Sequence, residues 1–416
     1  MLSRTKTINQ RDIPLLFTTR ILRLFAYGFL SVVLALYLTE VGLSEGQTGL
    51  LLSLTLAGDA SVTLWITTSA DRIGRRRMLI LGALLMLLAG GFFLLTRDPL
   101  LLTFAAIVGV ISPSGNEIGP FLSIEQAGLA QLVPNERRTD VFAWYNLAGS
   151  FATACGALGG GWLATGLQNN GLTALASYQV VLGGYALAGL ALVACFLSLS
   201  SAVEVVGEGS PQPAGPRPTM GLHKSRGVVV RLSSLFALDA FAGGLIVQAM
   251  IAYWFHVQYG VEAGVIGSIF FGANILAGIS ALLAVPMARK IGLINTMVFT
   301  HIPSNVLLML VPLMPNLPLA IVVLLARFSI SQMDVPTRQS YTMAVVDPDE
   351  RSAAAGVTAI ARSVGASFAP VLTGLFFSVP ALLSAPFFVS GGLKIVYDLL
   401  LFRAFRTVKP PEEKKD

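Results

Sequence analysis

The sequence predicts an all-α membrane protein with twelve transmembrane helices in two pseudo-symmetric six-helix bundles. Three observations predict it. Of 416 residues, 54% are hydrophobic and 12% charged, about half the ~25% charge of a soluble domain, and the mean hydropathy is +0.74. Apolar stretches of about 20 residues, each able to cross a hydrocarbon core of about 30 Å, recur from Pro14 to Phe405. Short motifs of the first half of the chain also return in the second. Lipid offers the backbone no hydrogen-bond partner, so spanning segments are helices or barrel strands, and these continuous apolar runs lack the alternation of a barrel.

In chain order, Met1 to Asp12 is polar and basic and leads into a full-length apolar run without a small-residue cleavage site, so no removable signal peptide is read. Spans are expected at 14–38, 47–70, 78–95, 99–129, 139–166 and 177–199, then at 231–257, 263–288, 293–313, 318–344, 352–378 and 385–402. The division is therefore 1–199 for the first half, 200–230 for a Pro/Gly-rich cytoplasmic linker, 231–405 for the second half and 406–416 for a charged tail. With the N-terminus inside, inward segments collect Arg72, Arg75, Arg76 and Arg77 after span two, Arg137 and Arg138 after span four, Arg289 and Lys290 after span eight, and Arg403 and Arg406 after span twelve, while the outward loops hold only Arg97. The positive-inside rule then places both termini in the cytoplasm and makes the net charge of +6 a topological signal rather than a nucleic-acid footprint. The two cysteines, Cys155 and Cys195, sit inside apolar spans without metal-type spacing and suggest neither a disulfide nor a metal site.

The halves repeat. Pro134-Asn135-Glu136-Arg137 matches Pro348-Asp349-Glu350-Arg351, Asp71-Arg72-Ile73-Gly74 is echoed by Arg289-Lys290-Ile291-Gly292, and Phe25-Ala26-Tyr27-Gly28 aligns with Phe241-Ala242-Gly243-Gly244. A duplicated six-helix unit places a substrate site near the bilayer midplane and gives alternating access by rocking of the repeats.

On these residues the sequence resembles the major facilitator superfamily over nearly its whole length. Asp71-Arg72-Ile73-Gly74-Arg75-Arg76-Arg77 is similar to the family's loop between spans two and three, with Thr67 where the pattern starts with Gly. The resemblance implies a conformational latch at Asp71, Arg72, Gly74, Arg75 and Arg76. Gly149, Gly156, Gly159 and Gly160 in span five resemble the glycine-rich element of proton-coupled antiporters, with Cys155-Gly156 where that element has Gly-Pro; ordinary close helix packing by small residues is the reading preferred for them. No arginine occurs between Leu100 and Leu129, where such antiporters tend to carry one.

Charges at membrane depth are expensive and mark pathways or buried pairs. They are Arg20 and Arg23 in span one, Asp59 in span two, Glu117 and Glu125 in span four, Asp239 in span seven, Arg327, Asp334 and Arg338 in span ten, Arg362 in span eleven, and Lys394 and Asp398 in span twelve. Most fall on spans one, four, seven and ten, which by the resemblance line the central cavity. Glu117 lies in Ser112-Pro113-Ser114-Gly115-Asn116-Glu117-Ile118-Gly119-Pro120, whose prolines and glycines should break the helix, and Asp334 precedes Pro336 in span ten. These two are candidate proton or substrate-cation sites, with Asp239, Arg23 and Arg327 as further substrate or coupling candidates. Arg23 and Asp239 occupy matching repeat positions, as do Glu125 and Arg338, so either pair would form a gate by meeting across the halves; static pairs within each half, such as Asp334 with Arg338, are the alternative. Glu136, Arg137, Glu350 and Arg351 are expected ion-pair residues at the inner face. Asp59, Arg362, Lys394 and Asp398, on helices outside the expected lining, are expected in structural pairs.

The function these residues suggest is secondary transport, proton-coupled, exporting a small amphiphilic compound. Import or facilitated passage of a small organic anion held by Arg23 and Arg327 is the rival within transport. A membrane enzyme or non-transporting sensor is the rival outside it, and the chain has no P-loop, metal-ligand cluster or nucleophile elbow to support one. No cofactor is expected beyond a proton or other ion gradient. The expected partners are a small-molecule substrate and membrane lipid, without nucleic acid, for a monomer in a prokaryotic plasma or inner membrane.

Overall fold

The structure is a computed structural model. It describes residues 11–117, 119–134, 137–204, 222–347 and 349–408, with the side chains of Asp71, Arg138, Thr139 and Ser352 excepted. Glu136, most of the expected linker and most of the tail lie outside the described residues.

Helices follow one another throughout. Span one is α1 (Asp12–Ser31) and α2 (Leu34–Glu40), and span two is α3 (Glu45–Ile73). The turn into α4 (Arg75–Leu95) is made at Gly74, whose φ of 114° only glycine adopts without strain. Span four comes in two pieces. Its first, α5 (Pro99–Val108), opens with Pro99 and with the Asp98 carboxylate accepting the Leu100 and Leu101 N–H groups at 2.8 and 3.2 Å. The second, α6 (Phe121–Leu132), follows an irregular stretch in which Gly115 and Gly119 have φ of 69° and 81°. The first half closes with α7 (Arg138–Asn169) and α8 (Ala174–Leu197).

The second half repeats the pattern with α9 (Arg226–Gly244) and α10 (Gln248–Tyr259), α11 (Ala263–Ile291), then a turn at Gly292 with φ of 87° into α12 (Leu293–Leu310). The Gly74 and Gly292 turns occupy equivalent places in the repeat. Span ten is split into α13 (Leu317–Phe328) and α14 (Asp334–Ala344), span eleven into α15 (Arg351–Ser367) and α16 (Ala369–Phe377), and α17 (Ala385–Phe405) is span twelve.

Among the described residues nine helical stretches are long and apolar enough to cross a membrane by themselves. The split fourth span, the split tenth span and the 32-residue α7 complete twelve.

The chain forms two compact units. The first is Met1–Leu43, Leu54–Gly209 and Val261–Phe271, and the second is Ser44–Ser53, Ser210–Gly260 and Gly272–Asp416. In the first, α1 lies against α7 with almost no side chain between the backbones. A β-carbon at Gly156 would stand 2.0 Å from the Phe25 carbonyl oxygen, and one at Gly160 would stand 2.1 Å from that of Phe29. One at Gly149 would meet the Leu24 and Arg20 side chains at 2.5 and 2.7 Å, whereas one at Gly159 would sit at an ordinary 3.6 Å from the Phe25 ring. In the second unit, Leu232, Phe236, Met297, Tyr341, Tyr397 and Leu401 form a common buried core.

Candidate functional site

Each unit folds its embedded charges into a network of its own. In the first unit, α1 buries Leu16, Thr19, Arg20, Arg23, Leu24 and Tyr27, a helical spacing that puts both arginines on the inward stripe. The break after α5 brings Glu117 to them, α6 presents Glu125, and α7 presents Tyr145 and Asn146. Arg20 donates to Glu117 Oε2 at 2.7 Å, to the Tyr145 carbonyl at 2.9 Å and to Asn146 Oδ1 at 3.2 Å. Arg23 donates to Glu117 Oε1 at 2.9 Å and forks onto Glu125 at 2.9 and 2.7 Å. The second carboxylate is closed off by Thr19 Oγ1 at 2.7 Å and by the Tyr145 hydroxyl. Two arginines and two glutamates balance, which is what makes such a depth affordable.

In the second unit the hub is a carboxylate. Asp239 accepts from Lys394 Nζ at 2.6 Å, Arg362 Nη1 at 2.9 Å and Arg338 Nη1 at 3.2 Å. Arg338 Nη1 also binds Asp334 at 2.7 Å one turn away. Beside this hub, Asp398 takes His301 Nδ1 at 2.9 Å and Asn305 Nδ2 at 3.2 Å. Arg362 and Lys394, expected in structural pairs, both pair with Asp239. The four side chains that a gate would pair, Arg23 with Asp239 and Glu125 with Arg338, have their partners within their own unit in this structure.

Two groups escape the networks. Asp59, at the midpoint of α3, has no ion-pair partner among the described residues, and its buried Oδ1 accepts no hydrogen bond; the structural pair expected for it is not formed. Arg327, 9% exposed, likewise has no ion pair among the described residues, and its Nε makes no hydrogen bond. Its guanidinium stacks on Phe328 at 4.9 Å from the ring centre. Sequence reading named Arg327 a candidate but did not single out Asp59, because a missing partner leaves no trace in a sequence.

At the expected latch, the Asp71 side chain lies outside the described residues and Arg72 is exposed. The residue holding the loop is one the sequence did not flag. Glu204 caps the start of α4 by accepting the Arg75 and Arg76 N–H groups at 2.7 and 3.2 Å. Arg76 Nε in turn donates to the Phe196 carbonyl at 3.1 Å. In the second unit, Glu350 accepts the N–H groups of His223, Lys224 and Ser225, the last two at 2.9 and 2.8 Å. Burial would push its carboxyl up, but the Ser225 hydroxyl and these backbone donors overcome that and bring it down to about 2. Arg351 Nε donates to the Met343 carbonyl at 2.9 Å, and Arg137 is exposed. Among the described residues no cluster of His, Cys, Asp and Glu suits a metal ion.

The family model described as Major Facilitator Superfamily matches residues 16–370 and again 232–416. An uncharacterized membrane protein of Saccharomyces cerevisiae is 31% identical over 418 residues, spanning 94% of this chain and 93% of its own. A Na(+), Li(+), K(+)/H(+) antiporter of Planococcus maritimus is 29% identical over 150 residues, or 36% of this chain and 35% of its own. Among solved structures, a bacterial homologue of the human lysosomal transporter Spinster, in an inward-facing and occupied conformation, superposes with a TM-score of 0.73 at 16% identity over 97% of this chain and 98% of its own. A D-xylose-proton symporter gives 0.72 at 15% identity over 97% and 99%.

Proposed function

The chain belongs to the Major Facilitator Superfamily, and on that premise we propose that this transporter couples solute export to proton entry, with Asp59 taking up and releasing the proton. The protein is a multi-pass membrane transporter and not an enzyme. What supports proton coupling is that Asp59, in polar contact with the Gly119 backbone and the Thr63 side chain, has no cationic partner among the described residues. A carboxyl without a cationic partner can gain and lose a proton without breaking an ion pair, whereas Glu117 and Asp334 must first release arginines. Glu117 and Asp334 therefore serve as the locks: each holds arginines that must part from it before its network can rearrange.

Export of a small amphiphilic compound is the direction we assign, with both termini cytoplasmic and the chain acting as a monomer. The partial likeness to a cation/proton antiporter supports exchange rather than symport. The test uses inverted membrane vesicles loaded with a pH-sensitive dye and offered cationic, neutral and anionic compounds one at a time. A compound that dissipates the proton gradient through the native protein supports the reading. Solute entry at full rate without any proton movement would refute it.

A further inference from the structure

We propose that Arg327 and Ser331 form an anion-binding site in the second unit, and that the transported solute carries a carboxylate, sulfonate or phosphate group seated there. The inference rests on the transport reading above and names the chemistry of its solute.

Arg327 carries the argument because it cannot discharge itself. A buried carboxyl can take a proton, but a guanidinium stays charged at any pH a cell reaches, so burying it calls for a counter-charge. Among the described residues the second unit supplies fewer embedded carboxylates than permanent cations. Its embedded carboxylates are Asp239, Asp334 and Asp398, and its embedded permanent cations are Arg327, Arg338, Arg362 and Lys394. Asp239 is already shared by three of those cations, and Asp334 is bound to Arg338. Among the described residues Arg327 is the cation of this set without an ion pair: it has the face of Phe328 and, at longer range, the charge of Asp334, which Arg338 already engages.

A second observation points to the same place. Ser331, 6% exposed, has a buried hydroxyl without a hydrogen-bond partner among the described residues. It lies in the break between Phe328 and Asp334, where α13 ends and the N-terminal pole of α14 begins. A guanidinium and a free hydroxyl in one interrupted span make a set of donors suited to an anion, while the helix start beside them carries the carboxylate of Asp334, which Arg338 neutralises.

Two sources could supply an anion of this kind: a solute or a lipid headgroup. Depth favours the solute. Ten residues of helix separate Leu317 from Arg327, a rise of about 15 Å, or half of a ~30 Å hydrocarbon core, out of reach of headgroups at either surface.

Sulfate is the probe, added to the full-length protein in nanodiscs of zwitterionic phosphatidylcholine, with thermal unfolding compared against chloride at equal ionic strength. Sulfate should raise the Tm of the native protein saturably. Arg327→Met should lose that response and, without sulfate, melt at or above the native temperature, because it removes a buried charge that has no ion pair among the described residues; a purely structural arginine would instead lower the Tm on removal. Ser331→Ala should weaken the sulfate response without abolishing it. Arg351→Gln, at the inner face, should respond as the native protein does. Equal sulfate responses in the native protein and Arg327→Met, or none in either, overturn the site. A response reproduced and then saturated by phosphatidylglycerol in the nanodisc assigns the site to lipid and overturns the solute. None of these readouts needs transport, so the site can fail while the vesicle test of proton-coupled export stands, and the reverse.

Discussion

Arg23 and Glu125 form a two-pronged ion pair with both side chains fully buried, Nη1 to Oε1 at 2.9 Å and Nη2 to Oε2 at 2.7 Å. The same guanidinium reaches Glu117 through Nε, so α1, the α5–α6 break and α6 are tied through one side chain. The geometry makes this residue a clasp for the first unit.

Breaking the pair from one side should be costly. Glu125→Ala leaves Arg23 partly uncompensated at depth and should destabilise the protein by about 3 kcal/mol, read as loss of denaturant resistance in detergent. The double replacement Arg23→Met with Glu125→Met removes both charges and should recover much of that loss.

The Asp239 hub predicts an order. Asp239→Asn leaves Arg362 and Lys394 without their carboxylate and Arg338 held by Asp334 alone, and should cost about 3–5 kcal/mol, as removal of one member of a buried charge cluster does. Arg362→Gln should cost less, because two cations remain on Asp239 and the Arg362 side chain is 34% exposed. Unfolding of the two variants in parallel checks the order.

The seam between α1 and α7 predicts a contrast among glycines. Gly156→Ala drives a β-carbon into the Phe25 carbonyl and should cost about 2 kcal/mol or more. Gly159→Ala has room and should change stability by no more than about 0.5 kcal/mol. Equal effects would mean that the helices separate more easily than their backbone contact implies.

Glu350 gives a pH dependence. Its carboxyl is held at about 2 against an ordinary 4.5, so the folded state prefers the ionised form. The stabilisation is complete above the ordinary value and is lost as the pH falls from 4.5 toward 2. Hydrogen exchange at Lys224 and Ser225 should accelerate across that window in the native protein and be already fast at neutral pH in Glu350→Gln.

Much of this was legible in the sequence because hydropathy and charge placement are one-dimensional signals. Twelve apolar runs, the repeat and the glycines at 74 and 292 needed no coordinates. The embedded charges were legible as a list but not as a wiring diagram. Nothing in the spacing says that Arg23 holds Glu117 and Glu125 at once, or that Arg362 and Lys394 meet on Asp239 from different helices. Only three-dimensional packing decides which carboxylate remains unmatched, and that decided against a pair for Asp59. Glu204 escaped notice for a related reason: it caps α4 from more than a hundred residues away, where no local capping pattern can reveal it.

The most direct measurement compares solute counterflow with solute-driven proton movement in vesicles holding either the native protein or Asp59→Asn. The account predicts that Asp59→Asn still exchanges solute across the membrane but moves no protons with it, while the native protein does both. Solute-driven proton movement at the native rate in Asp59→Asn would contradict the account, because the proton would then be travelling on another group.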